Sequence, residues 1–227
     1  KRWNNWENHI RVKGSGSSNT EEEVYWKMKQ EKKRKLFRGK YDGFTLFLVP
    51  GLTLCLASLE NWFGTNLSVV CSTGGLRLGF ALWGILSGIY YMRYTFYLFR
   101  LGNYREGAGR GLVFTAGGFL IAAVLIPYEP DLKPQAAILH VALAFLAPVL
   151  LAGALTLFLR FISRCSRKRF RKAWQIMWYL EGGALAVFLT AGFINSFLEL
   201  YVVTGLCGYL RYLERLLRKG ISPLRSW

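Results

Sequence analysis

Histidine and cysteine are scarce in this 227-residue chain, which has two histidines and four cysteines. The spacing of the cysteines suits neither a zinc site nor a disulfide framework, and two histidines cannot build a histidine-rich metal site within a membrane. No Gly-x-Ser-x-Gly turn, no phosphate loop ending in Gly-Lys-Ser or Gly-Lys-Thr and no His-Glu-x-x-His sequence is present. The sequence therefore predicts no catalytic residues, no metal site and no cofactor, and it favours a protein that is not an enzyme.

Acidic residues are also few, since 13 Asp and Glu stand against 30 Lys and Arg, for a net charge of +17. Hydrophobic residues make up 52% of the chain, aromatic residues reach 16%, and the mean hydropathy is +0.22. Soluble domains of this length rarely combine these values. The composition indicates an integral membrane protein.

Long apolar stretches support that class. A hydrocarbon core of about 30 Å needs roughly 20 apolar residues for each helical crossing, and a backbone in lipid must satisfy its own hydrogen bonds. Six such stretches can be placed, which predicts an all-α, polytopic membrane protein with a bundle of six transmembrane helices in a membrane domain over residues 41–213. The predicted spans are 44–63, 78–99, 111–126, 135–159, 174–194 and 197–213.

The last two spans come from one apolar stretch over residues 173–209. As a single helix it would be roughly 55 Å long at 1.5 Å per residue, nearly twice the thickness of a bilayer core. We therefore predict a break near Asn195 and Ser196 with a tight turn. The alternative is an interfacial segment over residues 173–180 followed by one span, which would put the basic C-terminal tail outside the cell.

The distribution of basic residues predicts the orientation. Residues 1–40 hold 12 Lys and Arg, three follow at Arg100, Arg105 and Arg110, seven lie within residues 160–172, and five lie from Arg211 onward. By the positive-inside rule, the protein is a multi-pass cell-membrane protein with both termini in the cytoplasm. The basic segments adjoin predicted spans, so we expect them to contact anionic lipid headgroups, and we prefer membrane lipids over nucleic acid as partners. Partner proteins cannot be predicted.

Two terminal segments flank the membrane domain. Residues 1–40 are predicted to be a basic cytoplasmic segment, with a flexible Gly-Ser linker at residues 14–18, and no apolar signal sequence follows the first basic residues. Residues 214–227 are predicted to be a basic cytoplasmic tail.

Polar groups near the predicted outer surface are the candidate ligand-binding residues. They are His140 in the fourth span, Glu199 and Asn195 at the last turn, Glu60 at the end of the first span and Arg77 at the start of the second, with Glu181 deeper in the fifth span. Ionisable groups at membrane depth often mark function, which favours an outward-facing polar pocket for a lipid or amphiphile. The alternatives are a small proton-coupled transporter that uses Glu181, Glu199 and His140 as a relay, or simple interfacial placement of these side chains.

A family resemblance adds to this interpretation over about residues 44–213. The first outer loop, Asn66-Leu67-Ser68-Val69-Val70, is followed by Gly74-Gly75-Leu76-Arg77, and the segment Ile126-Pro127-Tyr128-Glu129-Pro130 precedes Leu139-His140-Val141. This arrangement resembles the DRAM-like six-helix membrane proteins and their uncharacterised bacterial relatives. The resemblance implies a non-enzymatic membrane protein linked with membrane homeostasis, lipid distribution or autophagy, and it makes His140 and the loop over residues 127–130 the positions to test first.

Overall fold

A computed structural model describes residues 41–72 and 75–220 of the chain, and within these ranges it is helical with no strand. The predicted basic segment and linker within residues 1–40, and the end of the predicted tail, lie outside the described residues. A π-helical segment, Phe44–Leu48, leads directly into α1. The α-helices are α1 (Val49–Ala57), α2 (Leu67–Ser72), α3 (Arg77–Leu101), α4 (Gly107–Leu125), α5 (Pro134–Ser163), α6 (Arg167–Ala191) and α7 (Ser196–Gly220).

The helix boundaries differ from the predicted spans mainly at their ends. The break that we predicted near Asn195 and Ser196 is present, because α6 ends at Ala191, the left-handed Gly192 stops it and α7 begins at Ser196. The first predicted span is shorter, with helix ending at Ala57. Helix α7 continues beyond residue 213, where we placed the start of the tail, to Gly220.

Two of the described helices, Gly107–Leu125 and Pro134–Ser163, are long and apolar enough to cross a membrane, and Phe44–Ala57 is a shorter apolar helix. The six predicted spans are therefore reproduced only in part by length and composition. The other long helices are less apolar because polar residues are mixed into them: α3 contains Arg93, α6 begins with the basic run Arg167–Lys172, and α7 has apolar residues on one side only. The two apolar helices favour association with a membrane.

The helices alternate in direction between two ends of the bundle. At one end, named here the α2 end, the loop before α2 contacts the start of α7: Ser196 N–H donates to the carbonyl of Thr65 at 2.8 Å, and Phe197 N–H donates to the carbonyl of Trp62 at 3.0 Å. At the other end, the Glu214 end, Arg211 contacts Asp42 across the bundle at 2.6 Å. The clusters of basic residues on α3 to α7 lie at the Glu214 end, whereas Arg77 begins α3 at the α2 end.

Glycines bring α3 and α4 close together. A Cβ on Gly84 would clash with the side chain of Val124, and one on Gly88 would lie 3.0 Å from Ile121. The Gly-x-x-x-Gly pair therefore packs helices within the chain, as small residues do at membrane helix interfaces. A large buried core extends from these helices through α5 to α7 and includes Tyr94, Phe158 and Tyr209.

Candidate functional site

The main feature of the bundle is an apolar cavity of about 850 Å³. Along α5 its lining extends from His140 to Leu157, which is roughly 25 Å at 1.5 Å per residue. Walls come from α3, α4, α6 and α7 as well, with Met92, Leu120, Leu185, Phe188 and Leu206 among the lining side chains. This volume is within the range of small-molecule sites, which are typically 300–1,000 Å³ and mostly apolar.

Small side chains on α5 make room for the cavity. Ala144, Ala152 and Gly153 belong to a run of small residues, and all three line the cavity. In a membrane protein such a run often marks close helix packing, but here these three positions face the cavity. The cavity is also open at its side, because its wall residues Phe145 and Leu185 are exposed by 44% and 57%.

A second cavity, of about 720 Å³, lies at the α2 end. Its lining includes Asn66, Tyr128 and Pro130 from the loops, and it shares Ser68, His140 and Glu199 with the main cavity. A polar rim formed by these three shared side chains therefore lies where the two cavities adjoin.

His140 is buried, with 2% of its surface exposed, and both of its ring nitrogens are engaged. Nδ1 lies 2.8 Å from the carbonyl of Ala123 and 3.1 Å from that of Ile126, and Nε2 lies 2.7 Å from Ser68 Oγ. Because a carbonyl can only accept, Nδ1 carries the hydrogen and Nε2 accepts from the serine hydroxyl in the neutral ring. His140 thus joins the end of α4 to the short helix α2.

Glu199 also contacts the short helix α2, at its first residue. Its Oε2 accepts a hydrogen bond from the backbone N–H of Leu67 at 2.8 Å, at the first residue of α2. A carboxylate at a helix N-terminus satisfies a backbone donor that has no partner within the helix. Glu199 and His140 therefore contact the neighbouring residues Leu67 and Ser68, and within the described residues no hydrogen bond joins the two side chains directly.

Three of the other predicted site residues lie outside both cavities. Asn195 is buried and caps α7, since its Oδ1 accepts from the N–H of Leu198 at 2.9 Å. Glu60 lies exposed in the loop after α1, and Arg77 is exposed at the start of α3. Neither Glu60, Arg77 nor Asn195 lines either cavity.

Glu181 lies on α6 and lines the main cavity with a partly exposed side chain. Within the described part of the chain it has no hydrogen bond and no ion pair. Of the six predicted site residues, the structure therefore brings His140, Glu199 and Glu181 to one cavity, with Glu181 the one whose carboxylate is unpaired.

Sequence reasoning missed a buried charged cluster at the opposite end. Glu214 is 1% exposed and accepts from the Tyr94 hydroxyl at 2.6 Å, from Arg218 at 2.8 Å and from Arg211 at 3.2 Å. Arg211 also pairs with Asp42 at 2.6 Å. The spacing of Arg211, Glu214 and Arg218 along one helix face indicates ion pairs, but it does not reveal their burial.

Comparison with protein-family models, with curated proteins and with solved structures found no match for this chain. The resemblance to the DRAM-like proteins therefore stays a prediction, and the functional argument depends on the cavity and its polar groups.

Proposed function

We propose that this chain is a six-span integral membrane protein, with both termini in the cytoplasm, that binds a lipid or related amphiphile in its main cavity. The observation that carries the proposal is an apolar cavity of about 850 Å³ with a polar rim at one end. An amphiphile needs both: a long apolar space for its chain and polar groups near the headgroup. Each buried methylene contributes about 0.8 kcal/mol, so a chain along most of the cavity gives substantial affinity.

The six-span topology is supported by the alternating helix directions together with the charge asymmetry between the two ends. Basic residues at the Glu214 end would face the cytoplasm under the positive-inside rule. Cys165, exposed in the loop between α5 and α6, tests this assignment. In intact cells we expect a membrane-impermeant thiol reagent to leave Cys165 unmodified and to modify it after permeabilisation. Modification in intact cells would contradict the orientation.

Ligand binding is tested by filling the cavity. Ala184 lines it on α6, and Ala186, two residues further along the same helix, is exposed and does not line either cavity. Ala184→Trp adds an indole to the cavity, whereas Ala186→Trp adds the same group to the outer surface. Native mass spectrometry of the detergent-purified chain should find a bound amphiphile in the wild type and in Ala186→Trp, with at least severalfold lower occupancy in Ala184→Trp. A wild-type chain without any bound amphiphile would argue against the proposal.

A proton-coupled transporter remains the alternative, since Glu181 and Glu199 both line the main cavity. The bonds that engage both nitrogens of His140 disfavour a relay through its ring. Proteoliposomes that show no proton or solute flux between pH 5 and 8, which brackets the ordinary pKa of histidine at about 6.5, would exclude this alternative.

A further inference from the structure

The charged residues that line the two cavities are all acidic, although the chain is strongly basic. Glu181 and Glu199 line the main cavity, and among the described residues no Lys or Arg lines either one. Across the whole chain Lys and Arg outnumber Asp and Glu by 30 to 13. The acidic side chains of the lining thus contrast with the positive net charge of the chain, and they favour a ligand of positive charge.

Two polar groups in the main cavity lack partners. The carboxylate of Glu181 has neither a hydrogen bond nor an ion pair within the described ranges. On the α3 wall of the cavity, the hydroxyl of Ser87 is buried without a hydrogen-bond partner in the part of the chain that the structure describes, and Ser87 is only 1% exposed. Buried polar groups are nearly always hydrogen-bonded, so an unsatisfied hydroxyl on a cavity wall indicates a missing partner.

Contacts with α7 place these two groups at similar depths. Leu180, next to Glu181, fills the space beside Gly205, and the hydroxyl of Tyr91 donates to the carbonyl of Val203 at 3.0 Å. Ser87 precedes Tyr91 by one helical turn. Ser87 and Glu181 therefore both lie within about two helical turns of residues 203–205 of α7.

We propose that the cavity selects a cationic amphiphile, with a primary ammonium group bound by Glu181 and an alkyl chain along the apolar wall of α5. This inference rests on the proposed function and names its ligand class. An ammonium has three N–H donors and no acceptor, so it donates to the carboxylate of Glu181. A carboxylate at membrane depth is expensive to hold without a counter-charge, and the ligand supplies that charge.

The test compares ligands that share one chain and differ in headgroup charge. Dodecylammonium, dodecanol and dodecyl sulfate are titrated against the full chain in nanodiscs of zwitterionic phosphatidylcholine, with bound ligand measured by mass. We expect the wild type to bind dodecylammonium at least tenfold more tightly than dodecanol and to exclude dodecyl sulfate. Glu181→Gln, which keeps the side-chain volume, should remove this preference while dodecanol binding changes by less than about threefold.

Two further variants complete the test. Ser87→Ala removes a hydroxyl that an ammonium and an alcohol can both use, so the preference for dodecylammonium over dodecanol should stay within about threefold of that of the wild type. Glu106→Gln removes an exposed carboxylate that lines neither cavity and should bind all three ligands as the wild type does.

The outcomes separate this inference from the proposed function. Equal binding of dodecylammonium and dodecanol, unchanged in Glu181→Gln, would overturn the charge selectivity and leave amphiphile binding intact. Failure of the wild type to bind any of the three, together with no effect of Ala184→Trp, would overturn both. If Glu181→Gln does not fold, the relative binding of dodecylammonium and dodecyl sulfate by the wild type decides the inference.

Discussion

Removing the carboxylate of Glu214 should destabilise the bundle more than any comparable change on the surface of α7. Its side chain is 2% exposed and lies between Arg211 and Arg218, whose side chains are 16% and 23% exposed. In Glu214→Ala, the Tyr94 hydroxyl and both guanidinium groups lose an acceptor at a site with little water. Arg218 also donates to the hydroxyl of Tyr97, so a shift of Arg218 in the variant would change the contacts of a second aromatic residue.

The size of the expected loss of stability in Glu214→Ala follows from the burial of its ion pairs. Removing one partner of a buried ion pair costs about 3–5 kcal/mol, because the remaining charge stays unpaired. Arg211 keeps its bond to Asp42 at 2.6 Å in the variant, which places the expected loss near the lower limit, about 3 kcal/mol. For a chain of this length that corresponds to a fall in Tm of roughly 6 to 12 °C.

Thermal unfolding of the detergent-purified chain measures this loss. Arg215→Ala is the matched control, since Arg215 is the next residue of the same helix and is exposed, and its Tm should stay within about 2 °C of the wild type. A double-mutant cycle with Tyr94→Phe should give a coupling energy of at least about 1 kcal/mol. Additive losses, or a Tm for Glu214→Ala equal to that of Arg215→Ala, would refute the structural role of the cluster.

Two further predictions concern the other end of the bundle. Gly84→Ala should lower the free energy of unfolding by about 1–3 kcal/mol because its Cβ clashes with Val124. The control Gly79→Ala should be neutral or stabilising, because a Cβ there meets no atom within 4 Å. Equal stabilities of the two variants would contradict the close approach of α3 and α4. His140→Leu should cost about 1–3 kcal/mol because it leaves the buried Ser68 hydroxyl unpaired, and the double variant with Ser68→Ala should recover part of that loss in the same unfolding assay. No recovery would show that the pair does not act together.

Helix positions were predictable because the signals that set them are local. Apolar runs and basic clusters predicted the five long helices after α1 to within a few residues at most ends, and the break at Asn195 follows from the polar cap that this residue provides for α7. Helix α7 continues past residue 213, where charge alone separated the predicted tail from the predicted span. Hydropathy could not show that Glu214 is buried by partners elsewhere in the chain.

Sequence reasoning selected three residues that line one cavity and three, Glu60, Arg77 and Asn195, that line neither cavity. His140, Glu199 and Glu181 were chosen as ionisable groups in apolar segments, and they do line one cavity. Their roles depend on residues far away in sequence: Ser68 lies 72 positions from His140, and Leu67 lies 132 positions from Glu199. Because no local pattern encodes such pairs, the sequence did not distinguish Glu199, which bonds to α2, from Glu181, whose carboxylate has no partner among the described residues.

By itself the sequence determined the all-helical class of the fold, because helix signals and apolar runs are properties of short segments. It also determined where most long helices begin and end. Only the tertiary structure decided which small residues pack against a helix and which line a cavity, since both kinds have the same side chains. The tertiary structure likewise decided that Glu214 is buried and paired while Glu181 is unpaired, because the environment of a carboxylate is set by the helices packed around it.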